Sequence, residues 1–389
     1  MRHGFDLWNL EMNQEPERPV VFAEFRGKEI LREMGRLLFS LLDVFVSAGY
    51  RIQLFDNLPA SELGKYGPLA FALPHLSVTN TLPADTRQMI YLFDERDPAA
   101  GRRVWRKEIQ VRYDVFSPYW FSDPIVMPYP VHPAHTGAGL AERLKQCRQS
   151  QRRMRIFFSG DTEGYVRSRI RYPNEKLPRL VVINTIREQL GERLSVVQDE
   201  TGLARELAGT EYRNRFVMAD PGSFRIDSAK WLNTLAMADF FLCPPGYVMP
   251  MCHNTVEAMA VGAIPIINYP EWFQPRLAHL ENCIVFGDGS DLISQLNAVL
   301  TMSSDQIAEI RRSVIDYYDR YLTPESFTRR IETSKERKVV VLMITDANVV
   351  RKASRLNGRS VLLRGALPSG DKSVASMLRR LKTGAAWGR

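Results

Sequence analysis

Short apolar runs alternate along this chain with stretches that are apolar on one side only. Val20 to Phe25 is a largely apolar run of strand length. From Ile30 to Ala48 the apolar positions Leu31, Met34, Leu37, Leu38, Leu41, Leu42 and Phe45 recur at three-and-four spacing, which predicts an amphipathic helix ended by Gly49. Tyr50 to Phe55 reads as the next strand, with further short strands at Met89 to Phe93, Val111 to Phe116 and Ile125 to Tyr129. The same alternation resumes after a polar, basic connector. Arg155 to Ser159 and Leu194 to Val197 read as strands, Leu180 to Leu190 and Ser228 to Ala238 as helices. A compact block follows: strand Phe240 to Cys243, a Pro-Pro-Gly stop, helix His253 to Val261, Gly262 as its cap, and strand Ala263 to Ile267. Cys283 to Phe286 closes the strand series, and helices span Leu292 to Leu300 and Ser304 to Tyr321. Strands alternating with helices predict parallel sheets.

The 389 residues suggest two domains, and the 45% hydrophobic share supports a full core in each. No window approaches the ~18 apolar residues of a membrane span. The first residues contain no apolar core of a signal peptide. Cys147, Cys243, Cys252 and Cys283 form no CxxC pair, so they read as reduced thiols of a cytoplasmic protein, neither a disulfide frame nor a zinc site. No G-x-G-x-x-G follows the first strand, which argues against a nicotinamide or flavin enzyme. The formal charge of +8 is unevenly spread: residues 329–389 carry fifteen Lys or Arg and four Asp or Glu. That basic tail suits an anionic surface such as membrane lipid, with a solvated extension as the plainer reading. With one tryptophan, Trp387, it lacks the stacking platforms of a nucleic-acid binder.

The candidate chemistry concentrates between Asp239 and Phe286. His253, Asn254 and Glu257 lie in the first turns of a helix that directly follows a loop. Unpaired N–H groups and the helix dipole make such a terminus an anion site, suited to a diphosphate. His253 and Glu257 share one helix face, and a glutamate so placed can accept bonds from a ribose diol. Asp220 and Asp227 flank a Pro-Gly turn just before the preceding helix; either can serve as a catalytic carboxylate, and either can equally be a helix cap. Arg225 and Lys230 can balance the charge of a leaving nucleotide. Three further groups carry a bland reading beside a functional one. Asp94, Glu95, Arg96 and Asp97 follow a strand and read first as a charged turn. His132 and His135, in the proline-rich PYPVHPAH, read first as a stiff link. Tyr269, Trp272 and Phe273 read first as packing, with stacking on a base as the alternative.

The block C-P-P-G, a loop, then H-N-x-x-E-A-M-A-x-G-x-I-P-I-I resembles the donor-binding half of GT-B glycosyltransferases, closest to the exostosin-like group and bacterial surface-polysaccharide enzymes. The likeness is clear from Phe240 to about Val285. It implies an α/β fold of two Rossmann-like domains facing a cleft: 1–150 on the acceptor side, 151–328 binding the nucleotide sugar, and 329–389 as a basic C-terminal extension. It implies that Glu257 holds the ribose, with His253, Asn254 and the Gly246 loop near the phosphate or sugar. The strand running into SGDTEG is similar to the loop that opens the second domain in such enzymes, which adds Gly160 and Glu163 to the donor side. The implied activity is metal-independent glycosyl transfer from a nucleotide sugar to a glycan or lipid-linked acceptor, as in surface polysaccharide or lipopolysaccharide synthesis. No separate cofactor is implied, and the site would be cytoplasmic, at the inner membrane face. Uridine, guanosine and cytidine donors all fit. Two other classes fit the same residues: a nucleotide-sugar epimerase, and a non-catalytic binding module that would tolerate loss of both aspartates.

Overall fold

A computed structural model describes residues 18–115, 124–137, 139–161, 176–209, 214–219, 224–246, 249–345 and 360–361. Two parallel sheets form two α/β units. The first unit runs β1 (Val20–Glu24), α1 (Arg36–Ser47), β2 (Arg51–Phe55), α2 (Gly67–Phe71), β3 (Leu76–Thr79), β4 (Ile90–Phe93), α3 (Pro98–Gly101), β5 (Lys107–Arg112) and β6 (Ile125–Val126). The second runs α4 (Leu140–Arg148), β7 (Met154–Ser159), α5 (Arg179–Gln189), β8 (Leu194–Val197), α6 (Glu200–Ala208), β9 (Phe216–Ala219), α7 (Ser228–Leu235), β10 (Ala238–Leu242), α8 (His253–Ala260), β11 (Ile264–Ile267), β12 (Ile284–Val285), α9 (Gly289–Thr301) and α10 (Ser304–Tyr321). The chain then returns to the first unit with α11 (Pro324–Thr333) and β13 (Lys338–Leu342).

The first sheet has the order β3-β2-β1-β4-β5-β13-β6 and the second β12-β11-β10-β7-β9-β8, with every paired strand parallel. Parallel strands covered by helices on both faces need continuous apolar runs, and Ile90–Phe93, Phe216–Ala219 and Ile264–Ile267 are buried at every position. This is the two-unit Rossmann-like α/β architecture that the resemblance implies.

Several boundaries move. The predicted helix from Ile30 begins only at Arg36, because Glu33, Met34 and Gly35 take positive φ and break the first turns. The strand expected at Val111 to Phe116 lies at Lys107–Arg112, its start held by tertiary bonds: Lys107 Nζ donates to the carbonyls of Ile331, Glu332 and Ser334 at 2.7, 3.2 and 2.9 Å. Strand β3, an edge strand with little burial, carries no apolar signal. Helix α10 spans Ser304–Tyr321 as expected, since Ser303 and Gln306 close a capping box at its start.

The largest correction concerns the tail. Residues 329–345 belong to the first unit and not to an extension. Arg329 to Thr333 complete α11, whose Phe327 packs edge-on against Phe45 of α1 at 6.4 Å, and β13 sits inside the first sheet between β5 and β6. The first unit is therefore discontinuous in sequence. Its other boundary also shifts: α4, placed with residues 1–150, buries Leu144 and Cys147 in the core of the second unit. The rest of the basic tail, 346–359 and 362–389, lies outside the described residues. All four cysteines are free, and no helix among the described residues is long and apolar enough to cross a membrane.

Candidate active site

In the second sheet the chain leaves β7 toward β8 and β9 on one side, then crosses to β10 on the other. This strand order makes the carboxyl ends of β7 and β10 a topological switch point, where a crevice between the two following loops is expected. This is where open α/β sheets bind ligands. One side chain laces the two loops together. Arg179, at the start of α5 and 6% exposed, donates through Nη1 to the Asp161 carbonyl at 2.9 Å and through Nε to the Pro245 carbonyl at 3.2 Å. Its Nη2 also reaches the Pro244 carbonyl at 3.4 Å. The planar guanidinium fixes the spacing of the crevice walls. Gly160 lies against this guanidinium, and Gly246 is locked by its own loop: its N–H donates to Pro250 at 3.1 Å, and a Cβ there would stand 2.5 Å from the Met249 carbonyl. Only glycine fits at 246.

Helix α8 begins at the floor of this crevice. Its N-cap, Cys252, is extended and gives no side-chain cap hydrogen bond, and the Thr255 N–H turns back to the Cys252 carbonyl at 3.3 Å. His253 and Asn254 are half-buried in that turn. Glu257, one turn on, is fully buried. Its Oε1 accepts the backbone N–H of His132 at 2.8 Å and its Oε2 accepts the indole N–H of Trp231, on α7, at 2.6 Å. Burial raises the Glu257 carboxyl to about 7, against the pull of those two donors.

His132 belongs to the segment that joins the two units, so Glu257 bonds across the unit boundary. The His132 ring lies 5.0 Å from the His253 ring and 6.1 Å from that of His135. Its Nδ1 accepts the Ala134 N–H at 3.1 Å, so the neutral ring carries its proton on Nε2, 3.3 Å from the Tyr66 hydroxyl. Burial, then the neighbouring cationic and histidine groups, lowers His253 to about 3 and His135 to about 4. His132 is lowered by burial, then by Arg36 and Lys65. His132, His135 and His253 thus group as neutral imidazoles, and the backbone of His132 meets a carboxyl raised to about 7. Among the described residues no group of three His, Cys, Asp or Glu side chains could hold a metal ion.

The structure gathers Gly160, Gly246, His253, Asn254 and Glu257 at this crevice. Asp220 and Glu163 lie outside the described residues. Asp227, Arg225 and Lys230 are exposed at the start of α7. Asp227 caps that helix, accepting the Ala229 N–H at 2.7 Å, and Lys230 pairs with Glu200 at 2.6 Å. Tyr269, Trp272 and Phe273 are 0, 1 and 2% exposed within the second core, so they pack and do not offer a stacking face. Glu257, expected to face a ribose, is instead engaged by His132 and Trp231. Sequence reasoning did not assign Arg179, Trp231, Tyr66 or His132 to the site. For His132 the available signal was the pair of histidines in a proline-stiffened run between the two sheets.

No protein-family model matches the chain, and no curated protein sequence matches it. Solved structures similar to it include a glycosyltransferase from Rickettsia africae, at 10% identity and TM-score 0.44, covering 81% of this chain and 97% of that one. Anabaena Alr3699/HepE in complex with UDP is similar at 12% identity and TM-score 0.42, covering 80% and 98% of the two chains. The N-terminal domain of Candida albicans trehalose-6-phosphate phosphatase is similar at 10% identity and TM-score 0.42, covering 81% and 96%.

Proposed function

We propose that this protein is a GT-B glycosyltransferase that takes a nucleotide sugar in the crevice between β7 and β10 and transfers the sugar to a glycan or lipid-linked acceptor. The observation that carries the reading is the joint placement of the α8 terminus without a side-chain cap, the buried Glu257 and the histidine-bearing linker at the switch point of the second sheet. The diphosphate lies against the first turn of α8, whose N–H groups and dipole stabilise the charge of the leaving nucleotide. Arg179 positions the two loops around it. The ribose reaches Glu257, which exchanges the His132 N–H for hydroxyl donors as the units adjust. The acceptor approaches from the first unit, past Tyr66 and His132. Asp220 remains the candidate for the catalytic carboxylate, since Asp227 is occupied as the cap of α7. The transfer needs no resident metal or cofactor in this reading, and the acceptor belongs to surface polysaccharide or lipopolysaccharide synthesis at a membrane face.

The test is thermal unfolding with UDP, GDP, CMP and ADP, repeated on His253→Ala and Asn254→Ala. A nucleotide at a hundred times its dissociation constant adds about 2.7 kcal/mol of stability. One nucleotide should shift the wild type strongly and the variants weakly. If none of the four moves the wild type, the donor-site reading fails.

A further inference from the structure

The edge of the second sheet opposite the crevice holds a second concave site. A cavity of about 270 Å³ opens at the amino-terminal ends of β7 and β10, lined among others by Arg152, Arg153, Arg155, Arg311, Asp239 and Ser304. Four guanidiniums face a single carboxylate. Part of this charge has a structural use. Arg152 donates to the carbonyls of Ala238 and Val261 at 3.0 and 2.9 Å, and Arg311 to that of Gly262 at 3.1 Å. These bonds close the ends of β10 and α8. Asp239 pairs with Arg311 and, at 3.2 Å, with Nη1 of Arg155.

The remainder is not accounted for by the fold. Arg155 Nε is buried with no hydrogen-bond partner among the described residues. Arg153 is half-buried beside it. With Asp239 shared between two arginines, the cavity keeps an excess of three positive charges in a partly desolvated place. The repulsion is felt: Arg152 is lowered to about 10, by burial first and then by Arg311. Guanidinium forks match the geometry of phosphate oxygens, and a concave cationic site draws anions.

We infer that this cavity binds a phosphate dianion, as free phosphate, a small phosphomonoester or the phosphate of a lipid headgroup, held by Arg153 and Arg155 with Arg311 behind them. The site lies apart from the crevice and would report phosphate to the strand β10 that carries the Pro-Pro-Gly loop. Asp239 acts as a stand-in anion, occupying part of the charge when no phosphate is bound.

Inorganic phosphate titrated calorimetrically into the full chain, at constant ionic strength with chloride as the reference anion, tests this. Arg153→Gln with Arg155→Gln should weaken binding about tenfold or more, since two charge-assisted donors are lost. Among the described residues neither side chain bonds a backbone carbonyl, and Asp239 keeps its pair with Arg311, so unfolding temperature without phosphate should change little. Asp239→Asn should shift binding the other way, tightening it by releasing Arg155 and Arg311. Flotation with vesicles of phosphatidic acid in phosphatidylcholine separates the two sources. Recruitment lost in the double variant makes the phosphate a headgroup, while calorimetric binding without recruitment makes it soluble. No binding in either arm, or binding that the double variant retains in full, overturns the proposal.

Discussion

Each sheet has a switch point where the chain reverses its direction of winding, and the two are built to opposite ends. In the first sheet the reversal lies between β1 and β4. There the Asp94 carboxylate fills the gap, accepting the backbone N–H groups of Arg26, Gly27 and Glu95 at 2.9, 2.9 and 2.6 Å. A Cβ at Gly27 would come within 2.8 Å of Asp94 Oδ2, so a side chain there would push the carboxylate out of this position. Glu24 takes the Arg26 guanidinium at 2.8 Å and the Tyr91 hydroxyl at 2.7 Å, and Asp97 caps α3. These acids are saturated by their own loops. In the second sheet the corresponding crevice is flanked by a helix terminus without a side-chain cap, and the buried Glu257 bonds a segment from between the units. Polar groups satisfied within their own loop stabilise a fold; polar groups satisfied by something that can move are available to a ligand. The charged turn of the first unit is structural for that reason, although its position relative to its sheet is the same.

The comparison breaks most sharply if Asp94 is removed. Asp94→Ala leaves three N–H groups without their acceptor in a buried place, and the expected loss is about 3 kcal/mol of unfolding free energy. Nucleotide binding per folded molecule should be unchanged. Urea unfolding and calorimetry on the same variant check both halves. A stable variant that has lost nucleotide affinity would move the functional switch point to the first unit.

Glu257 sharpens the contrast through pH. Its native carboxyl titrates at about 7 and its ordinary value is 4.5, so the native state holds a proton that the unfolded chain has released across that window. Stability from this group is full below pH 4.5 and falls as pH rises to 7, by about 3 kcal/mol at 1.36 kcal/mol per unit. His253 and His135 act in the other direction. Lowered to about 3 and 4, they stay neutral in the fold, and their contribution is lost as pH falls below 6.5. The wild-type profile therefore mixes both. The difference between wild type and Glu257→Gln isolates the carboxyl: it should shrink steadily from pH 4.5 to 7 and then level. A difference that does not vary with pH would mean that Glu257 is an ordinary ionised acid held by two hydrogen bonds.

How much of this could be read from the chain depends on how far apart the interacting residues are. The alternation of apolar runs and amphipathic stretches carries the α/β class, and local signals place α8, α10 and the glycine after α8. The insertion of β13 between β5 and β6 does not show locally, since the charged start of β5 is satisfied by carbonyls of residues 331 to 334, more than 220 positions away. The site divides the same way. His253 and Glu257 share a face by spacing alone, but the partners of Glu257 lie 125 and 26 residues distant. A carboxylate at a helix start looks free in sequence. Only the packed chain shows what it holds.

The smallest expected effect separates the two aspartates that the sequence could not rank. Asp227 is exposed and accepts the Ala229 N–H as the N-cap of α7. Loss of such a cap costs about 1 kcal/mol, so Asp227→Ala should lower stability by that much and leave turnover with the preferred donor nearly unchanged. Asp227→Asn should restore most of the stability, because the amide oxygen caps almost as well. Asp220→Asn should do the reverse, sparing stability while turnover falls by a factor of about 10² or more, as loss of a general base does. Turnover that survives in Asp220→Asn and collapses in Asp227→Asn would assign the exposed cap to the chemistry, because the asparagine keeps the cap and removes only the charge.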